Sequence, residues 1–250
     1  MEGVSYAKRI QQAILPDYEI SQYFKKYYLI FRPRYDVSGD FYWFTEQNGK
    51  FYLAVADCTG QGVSGAFMSM IGNTLLNEVI NEKKIDDPSF ILETINTEFK
   101  MALHQNQRLS DDSMDICLCC IEHSPDKESH WLVTFSGANR PLYYSQGWDI
   151  HEIKGTPRPI GGRLMDKDKF FETHSFELKK GNFLYLLTDG FTIQHNRDQK
   201  KFGSNRLKES LRKIIHLPVK QQEEKLTWEL EEFMQDVEQK DDITLFALKL

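Results

Sequence analysis

The apolar positions of the chain change their spacing several times, and these changes predict where strands and helices lie. Short aromatic and β-branched runs in the first part predict strands over residues 27–32, 41–44 and 51–56. The Asn48-Gly49 dipeptide predicts a tight turn that joins the second and third of these strands as a hairpin. Apolar residues then recur at helical spacing after Ser64, which we expect to cap one helix, and after Pro88, which opens the next.

The rest of the chain shows mainly strand patterns. Predicted strands cover residues 116–121, 131–135, 142–144, 150–153, 183–188 and 243–248, and predicted helices cover residues 206–216 and 219–237. Because residues 116–121 are apolar at every position, we expect them to form a central strand that is covered on both faces. Strands in runs and helices in pairs predict an α+β fold, in which helices cover antiparallel sheets, and not an alternating doubly wound fold.

The first 20 residues form a separate predicted unit. Tyr6, Ile10 and Ile14 lie in helical register, and Pro16 ends the pattern. We therefore expect residues 1–20 to be an N-terminal linker or regulatory helix, and residues 21–250 to be the main domain. The helix either packs on the edge of the domain or connects it to an upstream sensor or a dimerising helix.

Aspartates stand where several predicted strands meet turns: Asp40, Asp57, Asp189 and the pair Asp241-Asp242. Any one of them is explained as a turn or capping residue. Brought together, however, their carboxylates would raise one another's pKa unless cations were present, and all-oxygen sites suit Mg²⁺ or Mn²⁺. The pattern predicts a two-metal site that hydrolyses a phosphoester. Gly60 and Gly62 would let the backbone carbonyl of Cys58 approach the ions.

Composition and charge exclude several classes of protein. The net charge of −6 argues against a general nucleic-acid binder, which needs a basic face. No apolar run approaches the ~20 residues of a membrane span, and the N-terminus has no apolar signal core, so we expect a cytoplasmic protein. Of the four cysteines, three lie within residues 117–120, which makes a poor disulfide set and favours a reducing compartment.

The arginines of the predicted turns are candidates for phosphate contacts. They are Arg140, Arg158 and Arg163. A guanidinium suits phosphate oxygens, although solvation explains any one of these side chains more simply.

Five motifs occur in order along the chain: Ser38-Gly39-Asp40-Phe41-Tyr42, Ala56-Asp57-Cys58-Thr59-Gly60-Gln61-Gly62, Gly137-Ala138-Asn139-Arg140-Pro141-Leu142, Thr188-Asp189-Gly190-Phe191 and Asp241-Asp242-Ile243-Thr244. In these motifs the chain resembles the SpoIIE/RsbU-type bacterial serine/threonine phosphatases of the metal-dependent (PPM) family. The resemblance covers residues 7–250. Gln61 and Ser64 replace the basic residue and the proline that are more usual in the second motif.

The resemblance implies a fold, a metal site and a reaction. The fold would be a sandwich of two antiparallel sheets flanked by helices, and residues 21–250 would be its phosphatase domain. Two Mn²⁺ or Mg²⁺ ions would be held by Asp40, Asp57, Asp189 and Asp241 together with the Cys58 carbonyl, with Asp242 as the alternative to Asp241. Water bridging the ions would attack phosphoserine or phosphothreonine on a regulatory protein.

The resemblance also implies partners. The substrate would be an anti-anti-sigma (STAS) protein, and a sensor domain or a homodimer contact would regulate the site through helices at residues 64–80 and 89–104. Two other classes stay open. A non-catalytic partner-binding module would bind metal without turnover, and a different two-metal enzyme, such as a nuclease, would need a basic groove.

Overall fold

Two antiparallel β-sheets form the centre of the protein in a computed structural model, which describes residues 2–107, 110–162 and 170–250. The first sheet contains β1 (Tyr27–Arg32), β6 (Leu142–Gln146), β7 (Asp149–Ile153), β10 (Phe183–Leu187) and β11 (Ile243–Lys249), in the order β1-β11-β10-β6-β7. The second contains β2 (Asp40–Gln47), β3 (Lys50–Cys58), β4 (Ser113–His123), β5 (His130–Ala138) and β9 (His174–Lys179), in chain order, and the short β8 (Ile160–Gly161) pairs with β4.

Helices flank the two sheets. They are α1 (Glu2–Ala13), α2 (Asp17–Tyr23), α3 (Val63–Leu76), α4 (Pro88–Ala102), α5 (Gly190–Ile193), α6 (Ser204–Ile214) and α7 (Val219–Met234), with a π-helical segment (Asn77–Glu82) directly after α3 and a 3₁₀ turn (Gln105–Gln107) after α4. None of the helices in the described residues is long and apolar enough to cross a membrane.

The alternation of side chains along the strands builds three apolar layers. In β2, Tyr42 packs between the sheets, whereas Phe41 and Trp43 point outward beneath α3 and α4. In β4, Cys117 lies in the layer between the sheets, and Leu118 lies in the layer beneath α3 and α4. The outer face of the first sheet buries a third layer against α6 and α7. The predicted α+β sandwich and the central strand covered on both faces are therefore confirmed.

The hairpin of β2 and β3 also follows the prediction. Asn48 and Gly49 have φ values of 53° and 80°, as the two central residues of such a turn require. The predicted cap at Ser64 is wrong, since α3 begins at Val63 after Gly62 and no side chain caps it. A Cβ atom on Gly65 would stand 2.5 Å from the Gly60 carbonyl oxygen and 2.8 Å from Cα of Gly39. The start of α3 thus packs directly on the two loops that carry the first motifs.

The N-terminal segment contains two helices where one was predicted. Pro16 stands between α1 and α2, and Ile20 of α2 is buried in the layer between the sheets. The separation of residues 1–20 as a linker or regulatory unit stays a prediction.

Candidate active site

Three aspartates lie side by side at one end of the second sheet. Asp40 of β2 pairs with Asp57 of β3, and Asp57 pairs with Asp115 of β4. Two positions before Asp57 in β3, Val55 is fully buried between the sheets. Because side chains on a strand alternate with a period of two, the aspartates continue the inward-facing rows to the end of the sandwich.

Asp115 is the member of this row that sequence reasoning missed. The predicted strand began at Ile116, whereas β4 begins at Ser113. The signal was present, because Asp115 stands at the start of an apolar run and alternates with Cys117 and Cys119, which face the core between the sheets.

The first sheet brings two further acids to the same place. Asp189 follows β10, and Asp241 stands just before β11. Because β10 and β11 are antiparallel neighbours, the end of one lies beside the start of the other. Both carboxylates are close enough to Asp57 to affect its pKa, which is raised to about 7. Burial is the main cause, and Arg140 acts in the opposite direction. The charges of Asp189, Asp115 and Asp241 add to the rise.

The guanidinium of Arg140 lies among these carboxylates. Its Nη2 is 2.7 Å from Oδ2 of Asp115 and 3.1 Å from Oδ2 of Asp57, and its Nη1 is 3.1 Å from Oδ2 of Asp189. The side chain is only 11% exposed, so the expectation of a solvated arginine is wrong here. Asn139 donates from Nδ2 to the other oxygen of Asp115, at 2.8 Å. The third motif therefore places a cation at the centre of the acids.

The other two arginines have different positions. Arg158 pairs with Glu93 of α4 at 2.9 Å and stacks over the ring of Phe171. Arg163 lies outside the described residues.

Asp40 connects the two sheets. It is buried, and its Oδ2 accepts hydrogen bonds of 2.7 Å from the hydroxyls of Thr188, directly after β10, and Thr244, near the start of β11. Burial and the neighbouring charge of Asp57 raise the pKa of Asp40 well above its ordinary value, although the two hydroxyl donors act in the opposite direction.

The adjacent Asp241 and Asp242 have different surroundings. Both oxygens of Asp242 accept backbone hydrogen bonds of 2.7 Å, from the amides of Arg34 and Gly39, and the residue is buried. Asp241 faces the acids instead. Its Oδ1 accepts a hydrogen bond of 3.2 Å from Nε2 of Gln61, and its pKa is raised by burial and by the charge of Asp189.

Cys58 ends β3 beside Asp57, with its side chain buried. Burial and the neighbouring acids raise the pKa of its thiol well above the ordinary value, which keeps the sulfur neutral. Its carbonyl oxygen lies near Gly39, at 2.9 Å from where a Cβ atom of that glycine would be. Only the backbone of Cys58 is thus available as an oxygen donor.

Similarity to known proteins agrees with this geometry. The family model described as stage II sporulation protein E (SpoIIE) matches residues 47–250. The chain belongs to the SpoIIE family. The predicted resemblance to SpoIIE/RsbU-type phosphatases of the PPM class is thereby confirmed.

A curated relative agrees with this assignment. The phosphoserine phosphatase RsbU of Bacillus subtilis (strain 168) is 32% identical over 167 residues, which are 64% of this chain and 44% of RsbU. The chain thus spans less than half the length of this curated relative.

Solved structures extend the likeness over the whole chain. The SiaA-PP2C domain of Pseudomonas aeruginosa superposes with a TM-score of 0.88 at 31% identity, covering 100% of this chain and 96% of that domain. The PP2C phosphatase domain of SpoIIE from Bacillus subtilis has a TM-score of 0.68 at 19% identity over 90% of this chain and 62% of that one, which supports the fold alone.

The donor set of this SpoIIE-family site fits divalent cations. Within the described residues no group of three or more His, Cys, Asp or Glu side chains has the arrangement of a metal site by itself, and Arg140 lies between the acids. Carboxylates and the Cys58 carbonyl are hard oxygen donors, which Mg²⁺ and Mn²⁺ prefer. The pKa of Asp57 and of Asp115 stays raised, chiefly by burial, even beside Arg140. Arg140 lowers both pKa values, whereas burial and the neighbouring carboxylates raise them, so ionised Asp57 and Asp115 are unfavourable in a way that a bound cation would relieve.

Proposed function

We propose that the chain is a metal-dependent protein phosphatase that hydrolyses phosphoserine or phosphothreonine on a regulatory protein. The observation that supports it best is the meeting of Asp57, Asp115 and Asp189, which come from both sheets, around the guanidinium of Arg140. Carboxylates this close repel one another and raise the free energy of the folded chain unless cations bind them. A metal-binding role therefore explains their arrangement better than a purely structural role.

The proposed metal ligands are Asp40, Asp57, Asp189 and Asp241 with the Cys58 carbonyl. Two Mn²⁺ or Mg²⁺ ions held there would activate water and neutralise the phosphoryl oxygens. Asp242 is not proposed as a ligand, because its two oxygens already hold the amides of Arg34 and Gly39.

The chain's own contribution to the reaction is positioning. Arg140 brings a planar pair of N–H donors to the acids, and such a fork binds two oxygens of a phosphate at once. Asp115 and Asn139 fix the place of this guanidinium, so that a phosphoserine side chain entering the site would be oriented before water attacks.

The activity is tested with two substitutions in the site and one outside it. We expect Asp57→Asn and Asp189→Asn to abolish Mn²⁺-dependent release of phosphate from a phosphoserine protein, because each removes a carboxylate charge from the acids. The matched control is Asp149→Asn, since Asp149 is 70% exposed and pairs with Arg212 at the surface. Phosphate release that persists in both site variants would contradict the assigned site. Mn²⁺ binding by the unsubstituted chain without any turnover would favour a partner-binding module.

We further propose that the substrate is a STAS-type phosphoprotein in the cytoplasm and that a sensor domain or a homodimer contact regulates the site. The support is the family and the likeness to RsbU, a phosphoserine phosphatase. The assay compares phosphorylated STAS proteins from the same genome with an unrelated phosphoserine peptide. A preference of less than about tenfold in kcat/KM for every STAS protein would exclude this substrate class.

A further inference from the structure

We propose that Arg140 is a tethered cation that neutralises the acids of the metal-free protein, and that it leaves Asp57 and Asp189 but stays on Asp115 when Mn²⁺ or Mg²⁺ binds. The inference rests on the metal site of the proposed function. It adds an order of events, in which metal binding releases the guanidinium that then receives the phosphate.

The contacts of Arg140 divide into an anchor and two exchangeable partners. The shortest is the 2.7 Å contact to Asp115, and the two contacts of 3.1 Å go to the proposed metal ligands Asp57 and Asp189. Asp115 is itself fixed, because Nδ2 of Asn139 donates to its other oxygen at 2.8 Å. The backbone N–H of Asn139 in turn donates to the carbonyl of Thr156 at 2.8 Å. The anchor is thus part of the framework, whereas the other two contacts compete directly with a metal ion.

The competition has a clear electrostatic basis. Arg140 contacts Oδ2 of Asp57 and Oδ2 of Asp189, and these two carboxylates are also proposed metal ligands. In the metal-free protein the guanidinium reduces repulsion among the carboxylates, and a metal ion must displace this favourable interaction before it binds. Arg140 therefore stabilises the metal-free protein and weakens its apparent affinity for metal.

The guanidinium has a reason to accept a further partner. Its Nε is buried and has no hydrogen-bond partner among the described residues. A buried donor without a partner is unfavourable, and an oxygen-rich dianion would satisfy it. Once metal ions hold Asp57 and Asp189, Nη1 and Nε would be the donors without a carboxylate partner, and a phosphate would satisfy them.

The test compares two arginines of equal burial. Arg140→Gln removes the charge at the acids, and the matched control Arg158→Gln removes the charge of an arginine that is 12% exposed and pairs with Glu93. Mn²⁺ binding is measured by titration calorimetry without substrate, and thermal unfolding is measured in a chelator. We expect Arg140→Gln to bind Mn²⁺ about tenfold more tightly or better, and its metal-free form to melt at a lower temperature. Arg158→Gln should leave the Mn²⁺ affinity unchanged.

A second variant and a second ligand complete the experiment. Arg140→Lys keeps the charge, and we expect it to return the Mn²⁺ affinity toward that of the unsubstituted protein. Inorganic phosphate should bind the Mn²⁺-loaded unsubstituted protein more tightly than Mn²⁺-loaded Arg140→Gln. Equal or weaker Mn²⁺ binding by Arg140→Gln would overturn the inference, and so would an identical gain in Arg158→Gln. None of these measurements requires turnover, so the inference can fail while phosphatase activity is present, and the reverse.

Discussion

At the scale of single residues, neighbours in the sequence have separate tasks. Asp241 faces the acids and Gln61, whereas Asp242 holds the loop of Arg34 and Gly39 through both of its oxygens. A motif match of two consecutive aspartates leaves their roles open. The hydrogen-bond partners separate the two roles, because a carboxylate whose oxygens already hold buried amides serves the fold.

This division predicts opposite effects of two matched substitutions. Asp242→Asn replaces one acceptor by a donor that faces a backbone amide, so we expect the free energy of unfolding to fall by about 1–3 kcal/mol. Asp241→Asn should weaken Mn²⁺ binding without this loss, because it removes negative charge from the acids while the amide oxygen of the new side chain still accepts from the backbone N–H of Asp242. Urea unfolding in a chelator, followed by Mn²⁺ calorimetry, checks both. A larger loss of stability in Asp241→Asn than in Asp242→Asn would reverse the assignment.

The residues of the site differed in how far the sequence could predict them. Aspartates that end or precede apolar runs were found, because the junction of strand and turn is a local pattern. Arg140 was one of three candidate phosphate contacts, but its pairing with the acids could not be predicted, since Asp57 lies 83 positions away and the pairing depends on tertiary structure. Asp115 was missed because the apolar run that predicts the strand begins only at Ile116, although β4 begins at Ser113.

At the scale of elements, α1 is joined to the loop before Asp40. Gln11 is buried, and its Nε2 donates to the Ser38 carbonyl at 2.6 Å and to Oγ of Ser69 in α3 at 3.0 Å. Its Oε1 accepts from the Ser38 amide at 3.0 Å. One side chain thus connects the N-terminal helix, the first motif and the helix that follows the second motif.

Gln11→Leu should therefore act on the site loop as well as on α1. The substitution leaves the buried amide and carbonyl of Ser38 without partners, and we expect a loss of about 1–3 kcal/mol in unfolding free energy with faster amide exchange at Ser38 and Gly39. Gln12→Leu is the control, because Gln12 is exposed on the same helix. If both variants unfold alike and Ser38 stays protected, α1 is a passive neighbour of the loop.

Some elements were beyond the reach of sequence patterns for physical reasons. The edge strand β9 alternates exposed residues with half-buried or buried ones, so no continuous apolar run marks it. After α3, the chain continues as a π-helix over Asn77–Glu82, where Asn77 and Asn81 hydrogen bond along the helix. Over six residues, the apolar spacing does not distinguish a π-helix from an α-helix.

At the scale of the whole molecule, the site depends on both sheets. Asp40, Asp57 and Asp115 come from the second sheet, and Asp189 and Asp241 come from the first. Changes in charge at the site should therefore appear in the stability of the entire domain.

The pH dependence of stability follows from the raised pKa of Asp57. Because folding raises this pKa from 3.8 to about 7, the folded protein binds a proton more tightly than the unfolded chain. The contribution of Asp57 to the stability of the folded state is complete below about pH 4 and is lost as the pH rises through about 7. The pKa values of Asp40, Asp115 and Asp241 are raised too, so these acids act in the same direction.

We therefore expect the metal-free protein to melt at a lower temperature at about pH 8 than at about pH 6. Asp57→Asn should reduce this difference, and Mn²⁺ should reverse it, because a cation binds the deprotonated acids and competes with the proton. Thermal unfolding across this range, with chelator and then with Mn²⁺, measures all three. A metal-free protein that gains stability over the same rise in pH would contradict the raised pKa of Asp57.

The row formed by Asp40, Asp57 and Asp115 also limits where the chain tolerates changes in length. One residue inserted into β3 between its turn and Asp57 would move that carboxylate to the outer face of the sheet, beneath the helices. Insertions or deletions at the tip of the hairpin, at Asn48 and Gly49, would leave the row intact as long as the pairing of the strands is kept. The number of residues between motifs is consequently as much a property of the site as the identity of its acids.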